Sequence, residues 1–348
     1  MAATPYPRVV AIDLGTATVT AATLDPEGVV QPLLFPSGDN YPSMLPIGDD
    51  GIVHQPDWRG AATDVVTHTT RGLARPPQVI DGVPYSANTL IEMVTAPAVR
   101  AAEDSLGTSP DILAAVVPDH WPPRIVEAYV TALSAHQLPV MTVSPGEALV
   151  ASLEENQLHH SVTFLDFGAT TAGLTMVHGT RWNRRPDVSC RFVDPDGGER
   201  GIDRGVARKI ASVADPSFNP SWGWLVDAEL ECARARQDAA GGGMLTIDLP
   251  DPIGPVAVEA RKLLDLVEDL VVDVISKLIA REEVKDLWEA DAERNPDRPE
   301  PTLRVTGGFS LDRSVSTAIR SAITGYEPLD HPAAAMAVGA ALFAGASR

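Results

Sequence analysis

The feature that most constrains the fold is an internal echo. Val9-Val10-Ala11-Ile12-Asp13-Leu14-Gly15-Thr16-Ala17-Thr18 reads as an apolar strand, a tight turn, and then a returning strand from Val19 to Leu24. Half a chain later, Val162-Thr163-Phe164-Leu165-Asp166-Phe167-Gly168-Ala169-Thr170-Thr171 repeats that grammar. Each copy predicts a β-hairpin whose turn follows an Asp-apolar-Gly step. Two such hairpins, in a chain of 348 residues, predict two lobes, each with its own core.

The intervening elements fit an α/β plan. Ala87 to Leu106 predicts a helix before the apolar strand Ile112 to Val117, and Ile125 to Leu138 a helix before the strand Val140 to Val143. Trp224 to Gln237 predicts a helix, joined through Gly241-Gly242-Gly243 to a strand over Leu245 to Leu249. Lys262 to Ala280 carries Leu263, Leu266, Val267, Leu270, Val271, Val274 and Leu278 on one side, the pattern of an amphipathic helix. Leu303 to Thr306 predicts a strand stopped by Gly307-Gly308, and the charged, proline-rich stretch from Glu289 to Thr302 a surface loop. Alternating strands and helices make the chain an α/β protein.

Charge excludes whole classes of partner. Lys plus Arg number 27 against 47 Asp plus Glu, a formal net charge of −20. Such a surface repels phosphate backbones and anionic head groups, so neither nucleic acid nor a membrane is expected as partner. The small-apolar run from Ala333 to Ala346 is too short to span a bilayer and suits a buried helix. Only Cys190 and Cys232 are present, so neither a disulfide framework nor a zinc site is expected. With no apolar signal stretch at the start, the expected compartment is the cytoplasm. His159-His160 lacks a metal-spaced partner, and Arg181-Trp182-Asn183-Arg184-Arg185 reads as a solvated hairpin tip.

The hairpin turns carry the chemistry. A turn of Gly and small hydroxyl residues points backbone N–H groups outward, where they can cradle phosphate oxygens. An aspartate just before it can hold Mg²⁺ through its water shell. One such turn alone is usually only an Asp-Gly corner, but here there are two, with a later strand end at Gly307-Gly308. Ile12-Asp13-Leu14-Gly15-Thr16, Leu165-Asp166-Phe167-Gly168 and Val305-Thr306-Gly307-Gly308 resemble the two phosphate motifs and the adenosine motif of the actin-like ATPase superfamily. The nearest likeness is to the nucleotide-binding domain of DnaK-type heat-shock chaperones. Tyr41-Pro42-Ser43, Val116-Val117-Pro118, Pro145 to Leu153, Gly197 to Asp203, Glu231 to Arg236 and His331 to Ala341 resemble further segments of that domain, in the same order.

The resemblance implies a two-lobed actin-like ATPase fold of duplicated ribonuclease-H-like lobes around a nucleotide cleft. Lobe I is expected over 1–155 plus 331–348, and lobe II over 156–330. It implies ATP or ADP with Mg²⁺ as ligands, Asp13 and Asp166 near the metal, and Thr171 and Arg71 beside the transferred phosphate. Gly15, Thr16 and Gly168 would contact phosphate, and Arg236, Gly307, Gly308 and Phe309 the adenosine. Departures accompany the matches. The family's catalytic glutamate falls on Ser144, two loop glycines on Ala169 and Thr170, and adenosine contacts on Ala233, Gln237 and Ala335. These departures imply weak binding and slow hydrolysis.

The family's peptide-gripping β-sandwich has no counterpart before Arg348, so signalling through a protein partner is expected in place of peptide clamping. The first reading is a chaperone-like ATP-binding switch. The alternative is a pseudo-ATPase scaffold of bacterial secretion, envelope or division machinery. A small-molecule kinase ranks last, because no sugar-kinase signature stands around Gly197 to Asp203.

Overall fold

The computed structural model describes residues 5–48, 52–54, 64–66, 70, 73–153, 162–178, 187–294, 302–323, 327–329 and 331–347. The chain is mixed α/β and divides into two compact units. Unit 1 comprises Met1–His160, Val177–Val188 and Leu329–Arg348, and unit 2 comprises Ser161–Met176 and Ser189–Pro328.

The first sheet is built from β1 (Val9–Leu14), β2 (Thr18–Leu24) and β3 (Val30–Pro32), with β4 (Asn40–Pro42) also pairing β2. Small hairpins follow: β5 (Leu45–Ile47) with β6 (Asp64–Val66), and β7 (Gln78–Ile80) with β8 (Val83–Tyr85). Helix α1 (Ala87–Leu106) begins where the Ser86 hydroxyl accepts the Thr89 N–H at 3.1 Å and ends at Gly107, whose φ of 67° only glycine adopts freely. It leads to β9 (Ile112–Val116), then α2 (Pro123–Leu133), then β10 (Val140–Val143). The strand order is β10-β9-β1-β2-β3, antiparallel across β1–β2 and parallel across β1–β9 and β9–β10. Helix α2 is shorter than Ile125 to Leu138. A 3₁₀ turn over Ser134–His136 ends it, and Gln137 takes a left-handed φ of 59°.

The second sheet follows the same plan. Strands β11 (Val162–Phe167), β12 (Ala172–His178) and β13 (Asp187–Asp194) come first. After α4 (Glu199–Ala214), α5 (Trp222–Asp238), the hairpin of β14 (Met244–Asp248) and β15 (Pro255–Glu259), α6 (Ala260–Ile279) and α7 (Glu282–Arg294), the chain returns as β16 (Thr302–Thr306), α8 (Arg313–Ala322) and β17 (Glu327–Pro328). Read from its parallel edge, the order is β17-β16-β11-β12-β13, with β16 parallel to β11 and β17 parallel to β16. Each sheet thus has a central hairpin strand, its return on one side, and two parallel strands joined by a helix on the other.

Helix α7 corrects the surface-loop expectation for Glu289 to Thr302, since it runs on to Arg294. Val284 is fully buried, Leu287 and Trp288 pack on the unit 2 core, and Trp288 Nε1 donates to Thr163 Oγ1 at 3.1 Å. Those few anchors hold a helix whose charge hides it from a hydropathy pattern.

Two helices complete unit 1 around its sheet. Helix α3 (Pro145–Ala151) packs against α9 (Ala335–Ala346), and α9 against β1 and β2. The helices meet at Gly339, where an added Cβ would stand 1.8 Å from the Ala148 carbonyl oxygen. Only glycine permits that approach. Among the described residues, no helix is long and apolar enough to cross a membrane.

Candidate functional site

The two Asp-apolar-Gly turns close in the same way. In unit 1, Gly15 N donates to Thr18 O at 2.9 Å, and in unit 2, Gly168 N donates to Thr171 O at 3.0 Å. At the first turn glycine answers a steric need, because a Cβ on Gly15 would sit 2.9 Å from Thr18 O, whereas one on Gly168 would make only an ordinary contact, 3.4 Å from Thr171 O. Asp13 and Asp166 occupy the last strand position but one in β1 and β11. The strands therefore deliver both carboxylates to equivalent places beside their turns.

What backs the turns differs. In unit 1, Ser43 holds the turn from the end of β4: its N–H donates to Ala17 O at 2.8 Å and its hydroxyl to Thr16 O at 2.7 Å. Asp13 pairs across the hairpin with Thr20, whose buried Oγ1 has no hydrogen-bond partner among the described residues. The Tyr129 phenol is fully buried, and its pKa is raised by burial first, then by the Asp13 and Tyr41 charges.

In unit 2 the backing is a helix end. Glu199 N donates to Gly168 O at 3.0 Å and Arg200 N to Ala169 O at 2.9 Å. Two orphan donors of the first turn of α4 are thus satisfied by the hairpin itself. Gly198 sits so close that a Cβ there would stand 2.4 Å from Thr170 C and Thr171 N. Across the strand end, Gly307 adopts φ +91°, and a Cβ would meet Phe167 O at 2.3 Å and Asp166 Oδ1 at 2.6 Å. The next glycine, Gly308, has nothing within 4 Å of its Cβ position, so the backbone there is open to a ligand. The Asp166 carboxylate has no hydrogen-bond partner among the described residues. Burial raises its pKa, while the nearby Arg191 charge lowers it.

Arg236 has a structural role beyond the one expected of it. Its guanidinium is 2% exposed and stands among three carboxylates. Nε donates to Asp203 Oδ1 at 3.0 Å, Nη2 to Asp203 Oδ2 at 3.2 Å and to Glu199 Oε1 at 2.6 Å, and Nη1 to Asp312 Oδ2. Four hydrogen bonds engage a group with five N–H donors. Its Cζ also lies over the buried Phe309 ring, 4.9 Å from the centroid. The two side chains expected to hold adenosine thus hold each other. Burial would lower the Arg236 pKa, but hydrogen bonding to Asp203 and the Asp203 and Asp312 charges raise it. Asp203 is pushed up to about 6 by burial, with Arg236 pulling back. Sequence reading passed over this cluster. Glu199 and Asp203, one helical turn apart, were its visible signal.

Beside Arg236 opens a cavity of about 540 Å³ between the end of α5 and the starts of α6 and α8, lined by Gln237, Ala240, Leu264, Glu268, Asp312 and Arg313. Asp312 caps α8 by accepting the Ser314 N–H at 2.9 Å. In unit 1, Ser144 caps α3: its hydroxyl accepts the Glu147 N–H at 3.2 Å, while Glu147 Oε2 accepts the Ser144 N–H and hydroxyl at 2.9 Å each. The capping box therefore folds the Glu147 carboxylate back onto position 144.

Thr171 ends its turn through its carbonyl, and Ala169 and Thr170 line the turn that α4 covers. Arg71, His159-His160 and Arg181 to Arg185 lie outside the described residues. Among the described residues no group of three or more His, Cys, Asp or Glu is placed to hold a metal ion. No protein-family model matches the chain, and no curated protein matches it.

Proposed function

We propose that the chain is a two-lobed nucleotide-binding protein of actin-like ATPase architecture, similar to a DnaK-type nucleotide-binding domain, acting as a chaperone-like switch for a protein partner. The observation that carries this reading is the duplicated plan: two sheets of one strand order, each ending β1 or β11 in an aspartate beside an identically closed glycine turn. Each turn, taken in its own unit, would hold phosphate oxygens, Gly15 and Thr16 in unit 1 and Gly168 and Thr171 in unit 2. Mg²⁺, when bound, would supply charge neutralisation at the phosphates.

The residues present fit a Mg-nucleotide at its phosphate end. The Asp166 carboxylate, seated over Gly307 and with no hydrogen-bond partner among the described residues, is suited to a cation or its waters. They fit its base end less well, because Arg236 and Phe309 are engaged internally. Base contacts then fall to the open backbone at Gly308 and to Gln237 at the cavity. Binding is accordingly weak. Hydrolysis is slow because Ser144 is engaged in capping and carries no charge. A missing polar group of this kind costs about 10²–10³ in rate. That same engagement of Arg236 favours the second reading, a scaffold that keeps the fold without its nucleotide.

Calorimetric titration with Mg-ATP and Mg-ADP separates the two. The switch reading expects Kd of about 0.1–1 mM, Mg-dependent and weakened by Asp166→Asn or Asp13→Asn. Absence of heat at ~5 mM nucleotide overturns it and leaves the scaffold. Brisk Mg-dependent hydrolysis that Asp13→Asn abolishes overturns the slow-turnover part alone.

A further inference from the structure

One face of the unit 1 sheet carries a row of polar side chains in an otherwise apolar layer. Val10, Ile12, Val19, Ala21 and Tyr41 belong to the core beneath α1 and α2. Successive side chains of a strand alternate between faces, so Asp13, Thr20 and Asn40 turn the other way. The ladder then aligns them: Asp13 stands opposite Thr20, and Thr20 opposite Asn40. Directly opposed side chains have Cβ atoms about 4.5–5.5 Å apart. The three form a carboxylate, hydroxyl and amide row across β1, β2 and β4.

The middle of the row is its informative member. Thr20 is 3% exposed, and its Oγ1 has no hydrogen-bond partner among the described residues. The covering helix offers none. Leu24, on the same face of β2, lies so close to α9 that an added Cβ at Gly345 would stand 2.2 Å from Leu24 Cδ2. Helix α9 carries only Ala, Met, Val, Gly, Leu and Phe side chains. Asn40 Nδ2 donates to Asp39 Oδ1 at 3.2 Å, which leaves the Asn40 amide oxygen as an acceptor. A buried hydroxyl with nothing to bond gives up the hydrogen bonds it makes in water. Buried waters occupy such places, typically with about three polar partners.

We infer that Thr20 is a positioning residue for Asp13, acting through one internal water. The water accepts from the Thr20 hydroxyl and donates to the Asp13 carboxylate and the Asn40 amide oxygen. That gives the hydroxyl its partner and ties the carboxylate to one rotamer beside the Gly15 turn. The second hairpin lacks the device, because the position corresponding to Thr20 is Gly173, which has no side chain to hold a water. The inference rests on the proposed function only for what Asp13 then does. Its test uses the ligand-free chain, so a failed nucleotide titration leaves it standing.

Thr20→Val is the discriminating change, because it keeps the shape and removes the hydroxyl. If the hydroxyl is an orphan, the thermal midpoint stays or rises. If it holds a water, the midpoint falls by about 2–4 °C. NMR of the ligand-free chain with labelled Asp and Thr supplies the second readout. Expected for the unaltered chain are cross-peaks from Thr20 to a long-lived water and a single Asp13 χ1 rotamer. Thr20→Val should remove the cross-peaks and average the rotamer, and Thr20→Ser should restore both. A higher midpoint in Thr20→Val, an Asp13 rotamer indifferent to it, or a water that survives it overturns the inference. The cross-peaks need no variant, and their absence from the unaltered chain overturns it alone.

Discussion

The turn at 13–18 and the turn at 166–171 share their sequence grammar and their closing hydrogen bond but not their support. The first is held by Ser43 through its N–H and hydroxyl. The second is held by the end of α4, whose Gly198 leaves no room for a side chain and whose Glu199 reaches Arg236. A local motif therefore specifies a turn, while what the turn communicates with depends on what is packed behind it. Movement at 13–18 meets a strand end. At 166–171 it meets a helix tied by one buried arginine to α5 and α8.

The difference predicts a ranked set of mutational effects. The largest belongs to Arg236→Leu, which leaves Asp203, 1% exposed, without its counter-charge. Breaking a buried pair in this way costs about 3–5 kcal/mol, read as a shift in the denaturation midpoint. A loss under about 1 kcal/mol would mean that the second turn is no better tied than the first.

The same cluster gives a pH signature. The Asp203 carboxyl is raised from 3.8 to about 6 in the folded chain. Its contribution to stability is therefore fully present below the unfolded value and lost as pH rises through the folded one. Relative to Asp203→Asn, the unaltered chain should lose stability from about pH 4 to about pH 6 and run parallel above that. Paired denaturation curves across this range check it, and a difference that grows with pH contradicts it.

Next comes the glycine comparison. Gly198→Ala drives a methyl into backbone atoms at 2.4 Å, whereas Gly15→Ala meets a single carbonyl oxygen at 2.9 Å. Overpacking against backbone costs about 1–3 kcal/mol, with Gly198→Ala at the upper end and Gly15→Ala below it. Reversed order in thermal melts would invert the comparison. The smallest effect is expected from Ser43→Ala, which removes the 2.7 Å bond to Thr16 O and keeps the backbone bond to Ala17 O. One net hydrogen bond is worth about 0.5–1.5 kcal/mol, and hydrogen exchange at Gly15 to Thr18 should report it before global stability does.

The sequence by itself determined the elements whose causes are local. The helix Ala87–Leu106 and the strand Val140–Val143 stand where periodicity, the Ser86 cap and Gly107 put them. Both turns were legible because four adjacent residues close them. Helix α7 was not, because Val284, Leu287 and Trp288 are too few to mark a pattern amid its charges. Only the tertiary structure decided the role of Arg236. Its partners lie 33, 37 and 76 positions away, on α4 and at the cap of α8. Nothing at position 236 distinguishes an arginine that meets a ligand from one closed in by three carboxylates. Burial and hydrogen bonding make that choice, and both are set by how distant segments pack rather than by the residues beside them.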